Sequence, residues 1–247
     1  MSILFVAAEA AELKPLAGHL ENLRKLNWPI DYAYEGIAGG RRFLLAANGA
    51  GSKLAMKATE IAIRAISNAD LSSSPLEAVV STGFCGGLDP VLKVGDIVSA
   101  QQVFDFATGE RYPCVELSDA VHGVVLSQDR IANDAAEKQE LFAKTGACAV
   151  EMEAAGVAAR SKRAGLAFYC IKVISDAATE SFAFDLNRMR TTDGRVARGK
   201  IIVHALTRPN LLPELYRLKR RTDEVARVLG EFLVSCRIGS DITSSGE

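Results

Sequence analysis

Acidic side chains and a serine stand at the ends of two predicted strands, in a pattern that could break the bond between a sugar and a base. Glu151 and Glu153 follow one apolar run, and Ser175 and Asp176 end another. Glycosidic cleavage needs an acid to protonate the leaving group and a base or nucleophile for the anomeric carbon. A carboxyl group can be that acid at about pH 7 when burial or a neighbouring charge raises its pKa. Alternatively, these carboxylates only cap helices and the following turn.

Two glycine loops and a further pair of carboxylates add to this pattern. The loop 83–87 can let backbone N–H groups approach a ligand closely, or it can simply be a tight turn from strand to helix. The loop 49–51 lacks the dinucleotide fingerprint, because Leu54 stands where a third glycine is needed, and neither loop has the spacing of a Walker A motif. Glu9 and Glu12 directly follow the first predicted strand.

The sequence does not indicate metal, disulfide or thiol chemistry. Its three histidines are far apart and its five cysteines form no C-x-x-C pair, so neither a metal site nor a disulfide framework is predicted. No H-E-x-x-H or G-x-S-x-G motif occurs. Cys85 lies in a glycine loop without an indicated histidine partner, and a small buried thiol is the better interpretation. Free thiols fit a reducing cytoplasm, which is the predicted location.

Composition predicts a globular protein of ordinary character. The 247 residues are 49% hydrophobic and 24% charged, and the formal net charge of −1 gives no general preference for nucleic acid. The N-terminal apolar run is short, lacks a basic flank and is followed by Glu9, so we expect a buried strand rather than a signal peptide. No apolar run is long enough to span a bilayer.

Apolar runs and helical patterns alternate along the chain, which predicts an α/β fold. We expect one domain, residues 1–237, with three α/β/α layers around a central, mostly parallel or mixed sheet. Because ligands of such sheets bind at the carboxyl ends of strands, the loops near Gly83, Glu151 and Ser175 should form one site. Residues 105–120 show no clear period and are expected to be irregular. The predicted strands are 3–8, 32–35, 41–48, 78–80, 96–104, 121–127, 147–150 and 167–175, and the predicted helices are 9–23, 52–68, 134–144 and 153–164.

The C-terminal part differs from the rest of the chain. Between Arg188 and Arg237 basic residues outnumber acidic ones, and apolar residues recur at helical spacing, which predicts a basic amphipathic helix over 206–237. This helix could pack on the sheet or on a second subunit, or it could contact an anionic membrane surface. The polar residues 238–247 are expected to be disordered.

Four motifs, in this order, resemble the family of purine and uridine phosphorylases and methylthioadenosine/adenosylhomocysteine nucleosidases. They are T-G-x-x-G-G-L from Thr82, K-V-G-D-I-V from Lys93, V-E-M-E-A from Val150 and I-S-D from Ile174. The matching segments run from Ile3 to about Ala178, and the combination is specific although each motif alone is weak. The resemblance implies an enzyme that cleaves the N-ribosyl bond of a purine nucleoside, with a 5′-substituted adenosine as the expected substrate. It also implies no metal or organic cofactor, and a homodimer or higher homo-oligomer.

The resemblance implies roles for individual residues as well. Asp176 would protonate N7 of the departing purine, with Ser175 orienting it, and Glu12 would activate water. The transition state would resemble an oxocarbenium ion. Residues with a binding role would be Glu153 at the ribose hydroxyls, Met152 on the sugar, Phe84, Cys85 and Gly86 in the base and ribose pocket, and Ile131 near the base.

Departures from the family pattern bear on the choice between water and phosphate as the nucleophile. Nucleosidases usually have serine where this chain has Phe84, and an aromatic residue near the position of Ile131. The phosphorylases of the family have an arginine just before the glycine loop, whereas this chain has none in 79–82. Phosphate without a guanidinium would be poorly held, which favours water.

Two other functions stay open. One is phosphorolysis, with phosphate as co-substrate in a site near Gly49, Gly51 and Ser52. The segments 184–195 and 207–215 resemble the hopanoid-associated phosphorylases, a branch described as removing adenine from a lipid-linked adenosyl group, which would give the C-terminal helix a membrane role. The other function is nucleoside binding without turnover, which would not need a proton donor such as Asp176.

Overall fold

Ten strands and five helices follow one another along the part of the chain that the computed structural model describes, which is residues 1–68, 75–182, 185, 187 and 212–239. The strands are β1 (Ser2–Ala7), β2 (Glu21–Lys25), β3 (Tyr32–Ala38), β4 (Arg41–Ala47), β5 (Leu76–Gly87), β6 (Ile97–Asp105), β7 (Arg111–Pro113), β8 (Val121–Ser127), β9 (Ala149–Glu151) and β10 (Ala167–Asp176). The helices are α1 (Ala10–Gly18), α2 (Ser52–Asn68), α3 (Ala135–Thr145), α4 (Ala154–Ala164) and α5 (Leu212–Ser235).

The strands form one mixed sheet in the order β10-β6-β8-β9-β5-β1-β4-β3-β2, with β7 paired to β6. β1 lies between β4 and β5, is parallel to both and is buried along its whole length, as its continuous apolar sequence predicts. β10 is parallel to β5 and antiparallel to β6, so the sheet from β5 to β10 closes on itself. The closure pairs Gly86 of β5 with both Val150 and Asp176, and it therefore brings three strand ends to one place.

Helices cover both faces of the sheet, which confirms the predicted α/β fold with a central mixed sheet. α2 and α4 contact each other on one face, where Ala58 and Ala158 are buried in a common cluster. α1 and α5 contact each other on the other face, where Leu16, Val225 and Leu229 are buried together. Burying a Val or Leu side chain contributes about 1.5–3 kcal/mol, so these contacts fix α5 on the sheet.

Residues 83–87 continue β5 as a strand, paired with β10 and β9, instead of forming the expected glycine loop. Two further segments differ from the sequence-based expectation. α1 ends at Gly18 instead of continuing through Leu23, because residues 21–25 form the edge strand β2, which pairs antiparallel with β3. Residues 111–113, in the segment expected to be irregular, form β7 against β6. In both cases a hydrogen-bonded partner from elsewhere in the chain decides the conformation, which a local pattern does not contain.

The C-terminal helix is present from Leu212, and residues 206–211 lie outside the described part. The expectation of disorder from residue 238 onward is wrong at its start. Ile238 is fully buried and the Gly239 N–H donates a hydrogen bond to the Tyr169 hydroxyl at 3.0 Å, so both residues belong to the domain. Residues 240–247 also lie outside the described part. Within the described ranges, no helix is long and apolar enough to cross a membrane.

Candidate active site

A cavity of about 280 Å³ lies where the ends of β5, β9 and β10 meet the start of α1. α5 supplies part of its wall through Leu218 and Thr222, and Arg130 and Phe182 contribute from two loops. The predicted site residues that line it are Glu12, Phe84, Cys85, Gly86, Ile131, Met152, Glu153, Ser175 and Asp176. None of the residues of the predicted anion or water site, Gly49, Gly51 and Ser52, lines this cavity, although their neighbour Ala50 does.

Glu12 lies in the first turn of α1, with its carboxylate buried against the end of β5. Its Oε2 accepts a hydrogen bond from the Glu9 N–H at 2.8 Å, and its Oε1 accepts one from the Phe84 N–H at 3.0 Å. Gly83 makes this approach possible, because its φ is +116° and a Cβ there would lie 2.6 Å from Oε1. Burial raises the pKa of Glu12, outweighing the hydrogen bonds and the positive charge of Lys172. A carboxyl group held in this way suits a general base.

Glu151 and Glu153 share a fully buried lysine, Lys172 of β10. Its Nζ lies 2.8 Å from Oε2 of Glu151 and 4.0 Å from Oε2 of Glu153, and it donates to the carbonyl oxygen of Thr82 at 3.0 Å. Burial disfavours the ammonium, but the two carboxylates outweigh it and raise the pKa of Lys172. Burial, followed by the negative charge of Glu151, raises the pKa of Glu153 to about 8. At about pH 7 the cluster therefore holds an ion pair and a largely protonated Glu153.

The two glutamates have different structural tasks. Both oxygens of Glu151 accept hydrogen bonds from the Ala154 N–H, at 3.0 and 2.9 Å, and its Oε2 also accepts one from the Glu153 N–H at 2.9 Å. Glu151 thus caps the start of α4, as the alternative interpretation of the motif expected. Glu153 instead accepts a hydrogen bond from the Gly51 N–H at 2.8 Å, which ties the loop before α2 to the cavity wall.

Asp176 ends β10, and both of its carboxyl oxygens have partners. Ser175 Oγ lies 2.6 Å from Oδ1, and Nζ of Lys138, a fully buried residue of α3, lies 2.5 Å from Oδ2. The same ammonium donates to the carbonyl oxygens of Ala177 at 2.8 Å and Glu180 at 3.0 Å. Asp176 is only 5% exposed, and it lines the cavity, so its carboxyl group can contact a bound molecule.

Cys85 is placed as a structural thiol. It is 2% exposed, and its Sγ lies 3.5 Å from the carbonyl oxygen of Val173, to which it donates. Burial raises the pKa of Cys85 well above its ordinary value, so the thiolate is disfavoured. The prediction of a small buried thiol is confirmed.

An anion such as phosphate finds few free donors near the predicted loop. The Gly51 N–H is already engaged by Glu153, and the Gly49 N–H donates to the carbonyl oxygen of Ala8 at 2.8 Å. Arg130 lines the cavity, but its guanidinium is paired with Glu137 at 3.1 Å. In the described part of the chain, no group of three or more His, Cys, Asp or Glu side chains is arranged to hold a metal ion.

Sequence reasoning missed two functional candidates, Lys138 and Lys172. Lys172 did carry a signal, because it interrupts the apolar run of β10 and a charge inside a buried strand needs a partner. Lys138 carried none, because α3 contains other charged residues and nothing in its spacing separates a buried lysine from exposed ones.

The inner face of α5 is occupied within the chain. Val225 and Leu229 of the predicted apolar stripe are buried against α1, and the Arg221 guanidinium lies 2.6 Å from Glu180, in the loop after β10. The interpretation of α5 as a helix packed on the sheet accounts for these residues.

Comparison with known proteins identifies the family and the fold of this chain. A model of the phosphorylase superfamily matches residues 2–118 and 115–207. One similar structure is a methylthioadenosine/adenosylhomocysteine nucleosidase from Colwellia psychrerythraea, solved with adenine. It has 23% identity and a TM-score of 0.62, and the match covers 72% of this chain and 84% of the nucleosidase. The corresponding Streptococcus pneumoniae enzyme, solved with a transition-state inhibitor, has 17% identity and a TM-score of 0.68. The match covers 95% of this chain and 97% of that enzyme. Futalosine hydrolase from Helicobacter pylori has 17% identity, a TM-score of 0.66, and coverage of 94% and 95%.

Proposed function

Because this chain is an enzyme of the phosphorylase superfamily, we propose that it hydrolyses the N-ribosyl bond of a purine nucleoside. The observation that carries the proposal is that two differently held carboxyl groups, Glu12 and Asp176, line one cavity. Burial raises the pKa of Glu12, as suits a base that takes a proton from water. Asp176 lies at a strand end between a hydroxyl and an ammonium, as suits a group that faces a leaving base.

In the proposed reaction, Asp176 gives its proton to N7 of the purine while the bond between C1′ and N9 breaks. The electron pair of that bond stays with the base, which leaves as a neutral molecule. Glu12 takes a proton from water, and the water oxygen forms the new bond to C1′ of the oxocarbenium-like sugar. Glu153 binds ribose hydroxyls, and its protonated form can also donate a hydrogen bond. Met152 packs on the sugar.

Two observations support water over phosphate as the nucleophile. Two backbone donors of the loop 49–51 are engaged within the chain, the Gly51 N–H by Glu153 and the Gly49 N–H by the carbonyl oxygen of Ala8. The Arg130 guanidinium at the cavity is paired with Glu137. A phosphate dianion would compete with the protein's own carboxylates and carbonyl oxygens for these donors, whereas a water molecule needs only the carboxylate of Glu12.

The proposed substrate is a 5′-substituted adenosine. Two of the similar structures are nucleosidases named for methylthioadenosine and adenosylhomocysteine, one of which holds adenine. Leu218, Met152 and Phe182 give the cavity an apolar wall on which a 5′ substituent can pack. The reaction uses no metal or organic cofactor, and the predicted assembly is a homodimer.

Base release tests the proposal. Adenine is measured after incubation with methylthioadenosine, adenosylhomocysteine and adenosine, each with and without phosphate. Hydrolysis predicts release that is independent of phosphate. Asp176→Asn and Glu12→Gln should each lower kcat by about 10²–10⁴-fold, the usual contribution of a general acid or base. Asp119→Asn, at an exposed position, is the matched control and should not change kcat.

Other outcomes would select another function. Release that requires phosphate and survives Glu12→Gln would make the enzyme a phosphorylase. If none of the three nucleosides releases adenine and adenine binds tightly, the chain would be a nucleoside-binding protein. Release from an adenosyl lipid alone would point to the hopanoid-associated branch.

A further inference from the structure

Lys138 is a buried ammonium whose hydrogen-bonding capacity is used entirely around the proposed acid. Its side chain is fully buried in α3, and its three N–H donors have three partners. These are Oδ2 of Asp176 at 2.5 Å and the carbonyl oxygens of Ala177 at 2.8 Å and Glu180 at 3.0 Å. A buried ammonium is costly unless it is paired and hydrogen-bonded, so Lys138 can be buried here because each of its three donors has a partner.

Within the described ranges, Asp176 is the acidic side chain that Lys138 contacts. Phe182 presents its ring 5.7 Å from Nζ, and the other neighbours on the loop after β10 are backbone carbonyls. Glu137, the adjacent residue on α3, is paired with Arg130 and accepts a hydrogen bond from the Asn133 N–H. The positive charge of Lys138 is therefore directed at the group that the proposed reaction uses as its acid.

We propose that Lys138 is a positioning residue that acts through Asp176 during departure of the base. It fixes Oδ2 while Ser175 fixes Oδ1, so the carboxyl group keeps one orientation towards the cavity. When Asp176 gives its proton to N7, the carboxyl group becomes a carboxylate. The ammonium of Lys138 then balances this new negative charge at 2.5 Å in a site with little water. This inference rests on the proposed hydrolysis.

A structural role alone would have a different signature. Lys138 also joins α3 to the loop 177–180, so its loss could distort the site in a way that slows every substrate equally. A role through Asp176 slows only a substrate whose base must be protonated. A nucleoside methylated at N7 cannot accept that proton and leaves as a neutral base without it, so it separates the two roles.

The experiment compares wild type, Lys138→Met and Lys144→Met on one nucleoside and on its N7-methyl form. Lys144 is an exposed lysine of the same helix and serves as the matched control. We expect Lys138→Met to lower kcat by about 10–100-fold on the unmethylated nucleoside, part of the usual contribution of a general acid, and by less than about threefold on the N7-methyl form. Lys138→Arg should recover part of the lost rate. Lys144→Met should behave as wild type on both substrates.

The outcomes separate this inference from the proposed function. If the wild-type enzyme releases no base from the unmethylated nucleoside, the proposed function is overturned, and the role of Lys138 with it. Active wild type with equal losses on both substrates in Lys138→Met, or with no loss, would overturn the role of Lys138 alone. If thermal unfolding shows that Lys138→Met does not fold, Lys138→Gln is used in its place. Its amide can still donate to the loop carbonyls but carries no charge, and the same difference between the two substrates is expected.

Discussion

A methyl group added at Gly83 should disable Glu12 while leaving the sheet in place. Gly83 has a φ of +116°, and a Cβ there would lie 2.6 Å from Oε1 and 2.9 Å from Cδ of Glu12. Real Cβ atoms essentially never make contacts under 3.0 Å, so in Gly83→Ala the carboxylate has to move. It would then lose the hydrogen bond from the Phe84 N–H, which is 3.0 Å long.

The size of the effect follows from two terms. A non-glycine residue at such a φ costs about 1–3 kcal/mol. A hydrogen bond to a charged group contributes about 1.5–3 kcal/mol. Together they predict a loss of roughly 2.5–6 kcal/mol in the free energy of unfolding of Gly83→Ala. Because the displaced group is the proposed base, kcat should fall by about 10²–10⁴-fold in the protein that remains folded.

Gly95→Ala is the control for backbone strain. Gly95 has a φ of +96°, but a Cβ there would meet no atom within 4 Å. Gly95→Ala should lower the free energy of unfolding only by the backbone strain, about 1–3 kcal/mol, and it should keep its kcat. Urea unfolding and base release are measured for both variants. If Gly83→Ala equals Gly95→Ala in stability and in kcat, the close contact between β5 and the Glu12 carboxylate does not exist and the reasoning fails.

Three further changes test the packing and the charges of the site. Because the pKa of Glu153 is raised to about 8, the folded chain keeps a proton that the unfolded chain releases at its ordinary pKa. The free energy of unfolding should therefore fall as pH rises from about 5 to 8. Urea unfolding of Glu153→Gln should show a weaker fall over the same pH range. Lys172→Met leaves Glu151 buried without its cation and should cost about 3–5 kcal/mol in the same assay, whereas an unchanged midpoint would mean that the pair is absent. Gly230→Ala would normally favour a helix by about 1 kcal/mol, but a Cβ there would lie 2.8 Å from the Leu16 N, so the melting temperature should drop rather than rise.

Much of the site could be predicted because its residues follow strands directly in the sequence. The motif around Glu151 and Glu153 and the motif at Ser175 and Asp176 both end apolar runs, and strand ends of one sheet meet at one edge. All of these residues do line one cavity. The position of Glu12 was also inferred, although its hydrogen bonds to two backbone N–H groups could not be.

The remainder depends on pairings between distant segments. The closure of the sheet through β10 and β5, and the short strands β2 and β7, arise from partners that no local period reveals. Lys138 was missed for the same reason, since its burial depends on where α3 lies relative to the loop after β10. The loop 49–51 is predicted as an anion or water site, but the Gly51 N–H donates to a carboxyl group of the protein itself.

The hydrogen bonds that build the cavity also determine when it can form during folding. The hydrogen bond from Phe84 to Glu12 joins residues 72 positions apart in the sequence. The bonds from Lys172 to Thr82 and from Gly51 to Glu153 join residues 90 and 102 positions apart. Loops of this length must be closed before any of these contacts can contribute, so the site has no local precursor. β10 carries Lys172, Ser175 and Asp176, and it lies between β5 and β6. Until that strand inserts, Glu151 and Glu153 have no lysine beside them, so the insertion of β10 completes both the sheet and the active site.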